Sequence, residues 1–115
     1  MHEMSIVQAL IEQVESEVRK SGQTGRVTGL DLVIGRLSGV HTDSIRFAYQ
    51  FLSKDSILAD AELRIQEPSA YLVCHACGAR EPISQLEMHC PRCGSGDVLI
   101  EGGRELVLQS IELEE

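Results

Sequence analysis

The sequence is poor in aromatic residues and proline, and it has no long apolar run. Among its 115 residues there are no tryptophans, two phenylalanines and two tyrosines, so the core must rest on leucine, isoleucine and valine. A small domain with so thin a core often gains stability from a bound metal ion. No apolar segment approaches the roughly 20 residues of a membrane-spanning helix, which argues against a membrane protein of that kind.

Positive charge is also scarce. Ten lysines and arginines stand against 18 aspartates and glutamates, which gives a net charge of −8. A chain this acidic repels phosphate groups, so we expect neither nucleic acid nor an anionic membrane as a partner. The first residues lack the basic and apolar regions of a secretory signal, and we therefore expect a cytoplasmic protein. In a reducing cytoplasm, four cysteines are not expected to form disulfides.

Hydrophobic periodicity predicts the element order helix, strand, helix, strand, cysteine-rich insert, strand. Apolar residues at helical spacing predict a first helix from Glu3 to about Lys20. Alternation predicts strands around 30–34 and over 61–66. Between these strands we expect a second helix that begins with Thr42 or Asp43 as its cap.

The segment 71–100 differs in character from the rest of the chain, because it holds all four cysteines and two of the three prolines. We predict that residues 1–70 form an α+β domain, that 71–100 form an insert, and that 101–115 complete the domain with a last strand. The apolar phase of this strand shifts between Leu108 and Ile111, which fits either a bulge or a strand with two apolar faces.

The cysteines form two C-x-x-C pairs, in VCHACG and HCPRCG, with 12 residues between the pairs. Two such pairs clasp one ion tetrahedrally, and thiolate ligands favour Zn(II), with iron as the competitor. A redox C-x-x-C is expected in a βαβ context, which this pattern lacks. We therefore predict a structural Zn(II) site whose ligands are Cys74, Cys77, Cys90 and Cys93.

Three histidines lie near these features. His75 lies inside the first cysteine pair and His89 lies beside the second. In one interpretation they support the metal site through hydrogen bonds or face solvent. In the other they replace a cysteine as ligand or titrate near neutral pH. His41 precedes the second helix, and we expect it to be a loop residue rather than a ligand.

The first residues, MHE, offer a second kind of metal chemistry. The terminal amine, the amide nitrogen of His2 and its Nδ1 close a five-membered and a six-membered chelate ring, and the amide nitrogen of Glu3 completes a plane. Such nitrogen ligation favours Ni(II) or Cu(II) over zinc. In the competing interpretation His2 is a frayed terminal residue and Glu3 is an acid favoured by the helix dipole. Chemistry alone leaves both interpretations open.

Together these features resemble the HypA family of hydrogenase-maturation nickel metallochaperones. The resemblance rests on the start MHEMSI, the two cysteine pairs and the end RELVLQSIELEE, and it spans nearly the whole chain. It implies an α+β fold with two helices on a small antiparallel three-stranded sheet and a zinc-ribbon subdomain inserted before the last strand. It also implies that His2 and the Met1 amine bind nickel, that Glu3 is a ligand or supports one, and that the cysteines hold structural zinc.

The resemblance further implies a role without catalysis, in which Ni(II) is delivered to a [NiFe]-hydrogenase large-subunit precursor, and in some organisms to urease, together with a partner GTPase. A monomer and a homodimer both fit. This sequence departs from some members in its first cysteine pair, which has His75 inside it and Gly78 after it, whereas His89 flanks the second pair. The alternative function is a zinc-ribbon adaptor for proteins or nucleic acids, with no role in nickel handling.

Overall fold

The computed structural model describes residues 2–23 and 25–114. Within that part of the chain, the helices are α1 (His2–Ser21) and α2 (Thr42–Leu52), and the strands are β1 (Arg26–Ile34), β2 (Glu62–Gln66), β3 (Ala70–Cys74), β4 (Arg80–Ile83), β5 (Val98–Glu101) and β6 (Leu106–Glu114). The strands form two three-stranded sheets, ordered β2-β1-β6 and β4-β3-β5. The predicted fold class, two helices with small sheets and a cysteine-bearing subdomain, is confirmed.

Contacts within the chain divide it into two compact units. The helix unit comprises Met1–Leu32, Val40–Ile65 and Val107–Glu115, and the cysteine unit comprises Val33–Gly39 and Gln66–Leu106. The short segment Val33–Gly39 therefore belongs with the cysteines although it lies far from them in sequence. The domain boundaries derived from the sequence stay a prediction. No helix in the described residues is long and apolar enough to cross a membrane.

The core of the helix unit is built from the apolar stripes of α1 and α2. Both stripes are buried as their periodicity predicts, through Val7, Leu10, Ile11 and Val14 on α1 and Ile45, Ala48 and Tyr49 on α2. The one proton of the Tyr49 hydroxyl is shared between two carbonyl oxygens, that of Ala61 at 3.0 Å and that of Leu58 at 3.4 Å. Burial raises the pKa of Tyr49 to about 12. The tyrosine thus ties α2 to the chain that leads into β2.

Strands β1 and β6 run antiparallel, because residues of increasing number on β1 contact residues of decreasing number on β6. The side-chain contacts that show this are Arg26–Glu114, Thr28–Glu112 and Asp31–Ser110. From β2, Arg64 reaches Asp31 with two hydrogen bonds of 2.8 and 3.2 Å. Hydrogen bonds from Arg64 and then Ser110 lower the pKa of Asp31 to about 2. Asp31 thus connects all three strands of this sheet.

The start of α2 differs from the expectation. Thr42 is already helical, and the N-cap is His41, whose backbone is extended (φ −85°, ψ 110°). The His41 carbonyl accepts the N–H of Ile45 at 3.1 Å, but its side chain makes no capping hydrogen bond. The assignment of Thr42 or Asp43 as the cap is therefore wrong, because the turn places the residue before them at the capping position.

The sheet of the cysteine unit has β3 as its central strand. This strand pairs antiparallel with β4 and with β5, and its register places Cys74 opposite Val98. Its core contains Ala70, Leu72, Cys74, Ile83 and Cys90. Two of the four cysteines are therefore core residues as well as candidate ligands.

The loop before β6 packs closely against the base of β3. Gly103 has φ +80°, and a Cβ there would lie 2.5 Å from the Cβ of Ala70. Its carbonyl accepts the N–H of Leu37 at 2.6 Å, and the N–H of Gly35 bonds to the carbonyl of Glu105 at 2.8 Å. These bonds hold the segment Val33–Gly39 in the cysteine unit.

Candidate metal centres

The first cysteine pair lies in a tight turn at the end of β3. The N–H of Cys74 donates to the carbonyl of Ala79 at 2.9 Å, and the N–H of Gly78 donates to the carbonyl of Cys74 at 3.0 Å. Gly78 has φ +77°, a conformation that glycine adopts without the Cβ strain of other residues. The turn brings Cys77 back beside Cys74, and the N–H of Cys77 lies 3.5 Å from the Cys74 sulfur.

The second pair repeats this geometry. The N–H of Cys90 donates to the carbonyl of Ser95 at 2.8 Å, and the N–H of Gly94 donates to the carbonyl of Cys90 at 2.9 Å. Gly94 has φ +79°. In each pair the first cysteine is buried, at 1% exposure for Cys74 and 3% for Cys90, whereas the second is exposed. Each turn therefore anchors one thiol in the core and presents the other at the surface.

The four sulfur atoms converge on one point. They all lie within 4.8 Å of one another, with 3.6 Å between Cys74 and Cys93 and 3.7 Å between Cys77 and Cys90. A tetrahedral Zn(II) with bonds of about 2.3 Å places its sulfurs about 3.8 Å apart. A disulfide would require about 2.05 Å, so the four thiols are unpaired. The donor set and its dimensions fit a tetrahedral four-sulfur metal site.

The thiols of this cluster ionise unequally. A hydrogen bond from the Cys93 backbone N–H is the largest cause that lowers the pKa of Cys90 to about 7. The Ser95 N–H lowers the pKa of Cys93, but the neighbouring Cys74 thiol, burial and the other two thiols outweigh it and raise that pKa to about 12. Close thiolates repel one another, so full ionisation requires a cation. Metal binding at this cluster therefore releases protons.

The histidines near the cysteines lie outside the ligand cluster. Within the described residues, only the four cysteines bring three or more potential ligand atoms together. His75 is exposed, and its Nδ1 lies 3.2 Å from an Asp97 carboxylate oxygen. His89 is also exposed.

The amino-terminal candidates lie at the start of α1. His2 is the first residue of the helix and is exposed, whereas the Met1 amine lies outside the described residues. Glu3 is only 9% exposed, and one of its carboxylate oxygens accepts the N–H of His41 at 3.3 Å. Hydrogen bonds from the N–H groups of Glu3 itself and then His41 lower the pKa of Glu3, against the effect of burial, and the charges of His2 and His41 add to the lowering.

The position of His41 beside Glu3 has no signal in the sequence. The two residues are 38 positions apart, and the contact uses the backbone N–H of His41 rather than its side chain. No motif or periodicity signals such a contact. It arises because α1 and α2 pack with their N-termini near each other.

Nearly the whole chain matches a family model. Its description is hydrogenase/urease nickel incorporation, metallochaperone, HypA, and it matches residues 1–113. The chain belongs to the HypA family. A hydrogenase maturation factor HypA of Chlorobaculum tepidum is 41% identical over 114 residues, which cover 99% of this chain and 100% of that protein. A second, of Geobacter sp. strain M21, is 39% identical with the same coverage.

Solved HypA structures share the fold. The solution structure of the nickel metallochaperone HypA from Helicobacter pylori matches with a TM-score of 0.64 and 27% identity over 96% of both chains. Another solution structure of a HypA protein matches with a TM-score of 0.68 and 28% identity, over 99% of this chain and 97% of that one. The HypA family is one of metallochaperones for hydrogenase maturation rather than of enzymes, and a four-cysteine metal site consistent with zinc fits it.

Proposed function

We propose that this HypA protein binds Ni(II) at its amino terminus and delivers it during maturation of [NiFe]-hydrogenase. The observation that carries the proposal is the start of α1 at His2, with that side chain exposed. The first four N–H groups of a helix have no intrahelical acceptor. The amide nitrogens of His2 and Glu3 can therefore bind a metal without the loss of a helical hydrogen bond.

The ligand set for Ni(II) combines main-chain and side-chain nitrogens. With Met1 as the first residue, its amine, the amide nitrogen and Nδ1 of His2 and the amide nitrogen of Glu3 form one plane, a geometry that suits Ni(II). Amide nitrogens bind only after they lose a proton, so nickel capture releases protons and nickel leaves more readily in acid. The Glu3 carboxylate, which accepts the N–H of His41, would either bind nickel axially or orient the chelate.

For the cysteine unit, we propose a resident Zn(II) held by Cys74, Cys77, Cys90 and Cys93. Four thiolates fill the coordination sphere of zinc, which leaves no open position for a substrate. The role of this ion is therefore structural: it joins the two short turns that carry the cysteines. Zinc and nickel are then handled by different donor atoms in different units of the chain.

The partners proposed for this protein follow from its family. A partner GTPase would exchange nickel with this protein, and the precursor of a hydrogenase large subunit would receive it. Urease is a second proposed recipient of the nickel. We place this exchange in the cytoplasm. A net charge of −8 favours metal cations and basic protein surfaces over nucleic acid or anionic membranes. The protein works as a monomer or a homodimer.

Calorimetric titration of Ni(II) into the zinc-loaded protein tests the proposed nickel site. His2→Ala is expected to weaken binding by more than about 100-fold, since residues that merely support a ligand typically contribute 10–100-fold. The matched control is His75→Gln, which removes an exposed histidine from the cysteine unit and should leave nickel affinity unchanged. Equal affinity of His2→Ala and the native protein would overturn the proposal.

A further inference from the structure

Both phenylalanines of the chain lie exposed on one face of α2. Phe47 is 66% exposed and Phe51 is 64% exposed, although the sequence has only two phenylalanines and two tyrosines in all. The two side chains are four positions apart, so they are neighbours on the helix surface. The opposite face of the helix is buried through Ile45, Ala48 and Tyr49. Because large aromatic side chains are enriched at protein interfaces, this exposed pair indicates a surface for association.

Charged residues of opposite sign flank the two phenylalanines. Asp43 lies one turn before Phe47 on the same face of the helix. At the other end, the Nζ of Lys54 lies 5.9 Å from the centre of the Phe51 ring. Among the residues that the structure describes, neither Asp43 nor Lys54 has an ion-pair partner. Along the helix axis, this face therefore carries an acid, two phenylalanines and a base.

The order of these four side chains is complementary to itself when the helix is reversed. The midpoint between the two charges and the midpoint between the two phenylalanines differ by half a residue, which is about 0.75 Å along the axis. A second α2 in the antiparallel direction therefore places Asp43 of each chain opposite Lys54 of the other, with four aromatic rings between the charges. A two-fold interface requires such a self-complementary patch, so a second copy of this chain is the partner that the charges specify.

We propose that the α2 face formed by Asp43, Phe47, Phe51 and Lys54 is a homodimer interface in which the two helices pack antiparallel. This inference does not depend on the proposed nickel site. A phenylalanine buries about 200 Å² at most, so four rings that are two-thirds exposed bury about 500 Å². Stable interfaces bury roughly 1,200 Å² or more, and we therefore expect a weak, reversible dimer with a dissociation constant on the order of 0.1 mM.

The antiparallel arrangement keeps the two amino termini apart. Glu3 accepts the N–H of His41, which places the start of α1 beside the N-terminal end of α2. Since α2 has 11 residues and is therefore about 16 Å long, the two His41 residues lie at opposite ends of the interface. Two chains can then associate without one amino terminus covering the other.

Sedimentation equilibrium of the zinc-loaded protein, at concentrations below and above the expected dissociation constant, tests the interface. Phe47→Ala should weaken self-association by at least tenfold, because it removes an aromatic side chain from the centre of the interface. Asp43→Lys and Lys54→Asp should each weaken it about tenfold, since each change turns two attractive charge pairs into repulsive ones. In dilute solution, as in unfolding experiments, the chain is monomeric, and all these exposed substitutions should leave the melting temperature close to the native one.

The double variant with both Asp43→Lys and Lys54→Asp is the decisive one. It exchanges the two charges, keeps the net charge of −8 and should regain the native association constant. An equimolar mixture of the two single variants should also associate, because each chain then supplies one sign of charge. The matched controls are Glu12→Lys and Lys20→Asp on α1, which are exposed, change the net charge by the same amounts and should associate as the native protein does.

Three results would overturn the proposal. A native protein that stays monomeric at every concentration would leave this face of α2 to a different partner. Self-association that Phe47→Ala does not weaken would mean that the interface lies elsewhere. If both single charge variants lose association and the double variant does not regain it, the antiparallel arrangement is wrong.

Discussion

The two candidate metal sites of this chain are built in opposite ways. In the cysteine unit, four sulfurs already lie within 4.8 Å of one another, and Cys74 and Cys90 are part of a hydrophobic core. At the amino terminus, His2 is exposed at the first residue of α1, and most of the proposed ligand atoms belong to the backbone. The first arrangement suits an ion that stays, and the second suits an ion that is passed on.

The physical reason for this difference is the coupling between metal binding and folding. When ligands also form the core, the free energy of metal binding becomes free energy of folding, and the ion cannot leave without local unfolding. Ligands at the start of a helix are coupled to its first turn and here, through the Glu3 carboxylate, to the N–H of His41. Loss of the ion there leaves the core of the helix unit, including Val7 and Val14, intact.

The largest expected effect is the loss of a buried cysteine. Cys74→Ala should release zinc, disorder the cysteine unit and lower the free energy of unfolding by about 4 kcal/mol or more. Cys77→Ala should release zinc equally but destabilise less, because Cys77 is exposed and contributes little packing. Zinc content and thermal unfolding measure both effects.

In the same Cys74→Ala variant, nickel affinity should change little if the two sites are independent. A variant that keeps a full equivalent of zinc at the native melting temperature would contradict the assignment of the cysteines. A large loss of nickel affinity would contradict the separation of the two sites.

Substitution of two glycines that have positive φ distinguishes two causes of destabilisation, backbone strain and steric overlap of the added Cβ. Gly103→Ala in the cysteine unit would place a Cβ 2.5 Å from Ala70, and we expect a loss of about 3 kcal/mol from strain and overpacking together. Gly22→Ala, after α1, meets no atom within 4 Å and should cost about 1 kcal/mol from its φ of +71° alone. Urea unfolding of both variants provides the comparison, and equal losses would contradict the close approach at Gly103.

Removal of the Tyr49 hydroxyl tests the core of the helix unit alone. Tyr49→Phe should lower the free energy of unfolding by about 1–2 kcal/mol, because it removes the hydroxyl that donates to the carbonyl of Ala61. The carbonyl of Leu58 still accepts the N–H of Ala61 at 3.0 Å. Tyr71→Phe is the matched control in the cysteine unit, since it keeps the ring that stacks on Arg80 at 3.8 Å. A shift in urea midpoint for Tyr71→Phe as large as that for Tyr49→Phe would contradict this account.

The smallest effect is expected at Asp31 and depends on pH. Its folded pKa lies at about 2, below the ordinary 3.8, so its stabilising contribution is present above pH 3.8 and is lost as the pH falls through 2. The difference in urea midpoint between the native protein and Asp31→Asn should therefore shrink from pH 5 to pH 2. Because both proteins lose zinc in acid, the difference isolates the carboxylate. Asp43→Asn controls for the loss of an exposed charge, and a difference that stays constant over this range would contradict the role of Asp31.

Much of the fold and of the cysteine cluster could be predicted because the signals are local. The spacing of the two C-x-x-C pairs fixes both turns, and the apolar stripe of α1 fixes its buried face. The predicted shift of phase in the last strand is visible as well, since Leu108 and then Ile111 and Leu113 are half-buried. In each case one short segment carries the whole signal.

What could not be predicted depends on contacts between distant segments. The bond between Glu3 and His41 and the approach of Gly103 to Ala70 join residues more than 30 positions apart. The cap of α2 was misplaced for a related reason. Thr42 and Asp43 have the better intrinsic preference for that position, but the turn that leads out of β1 determines which residue occupies it.

The most direct test of the central claim is a nickel titration of two zinc-loaded proteins, one with Met1 as its first residue and one with a single glycine before it. The added residue moves the amine out of the chelate and touches neither the cysteines nor the core. We predict at least a tenfold loss of nickel affinity, about 1.4 kcal/mol, with zinc content and melting temperature unchanged. Equal nickel affinity in the two proteins would contradict the claim that the terminal amine and His2 hold the transported ion.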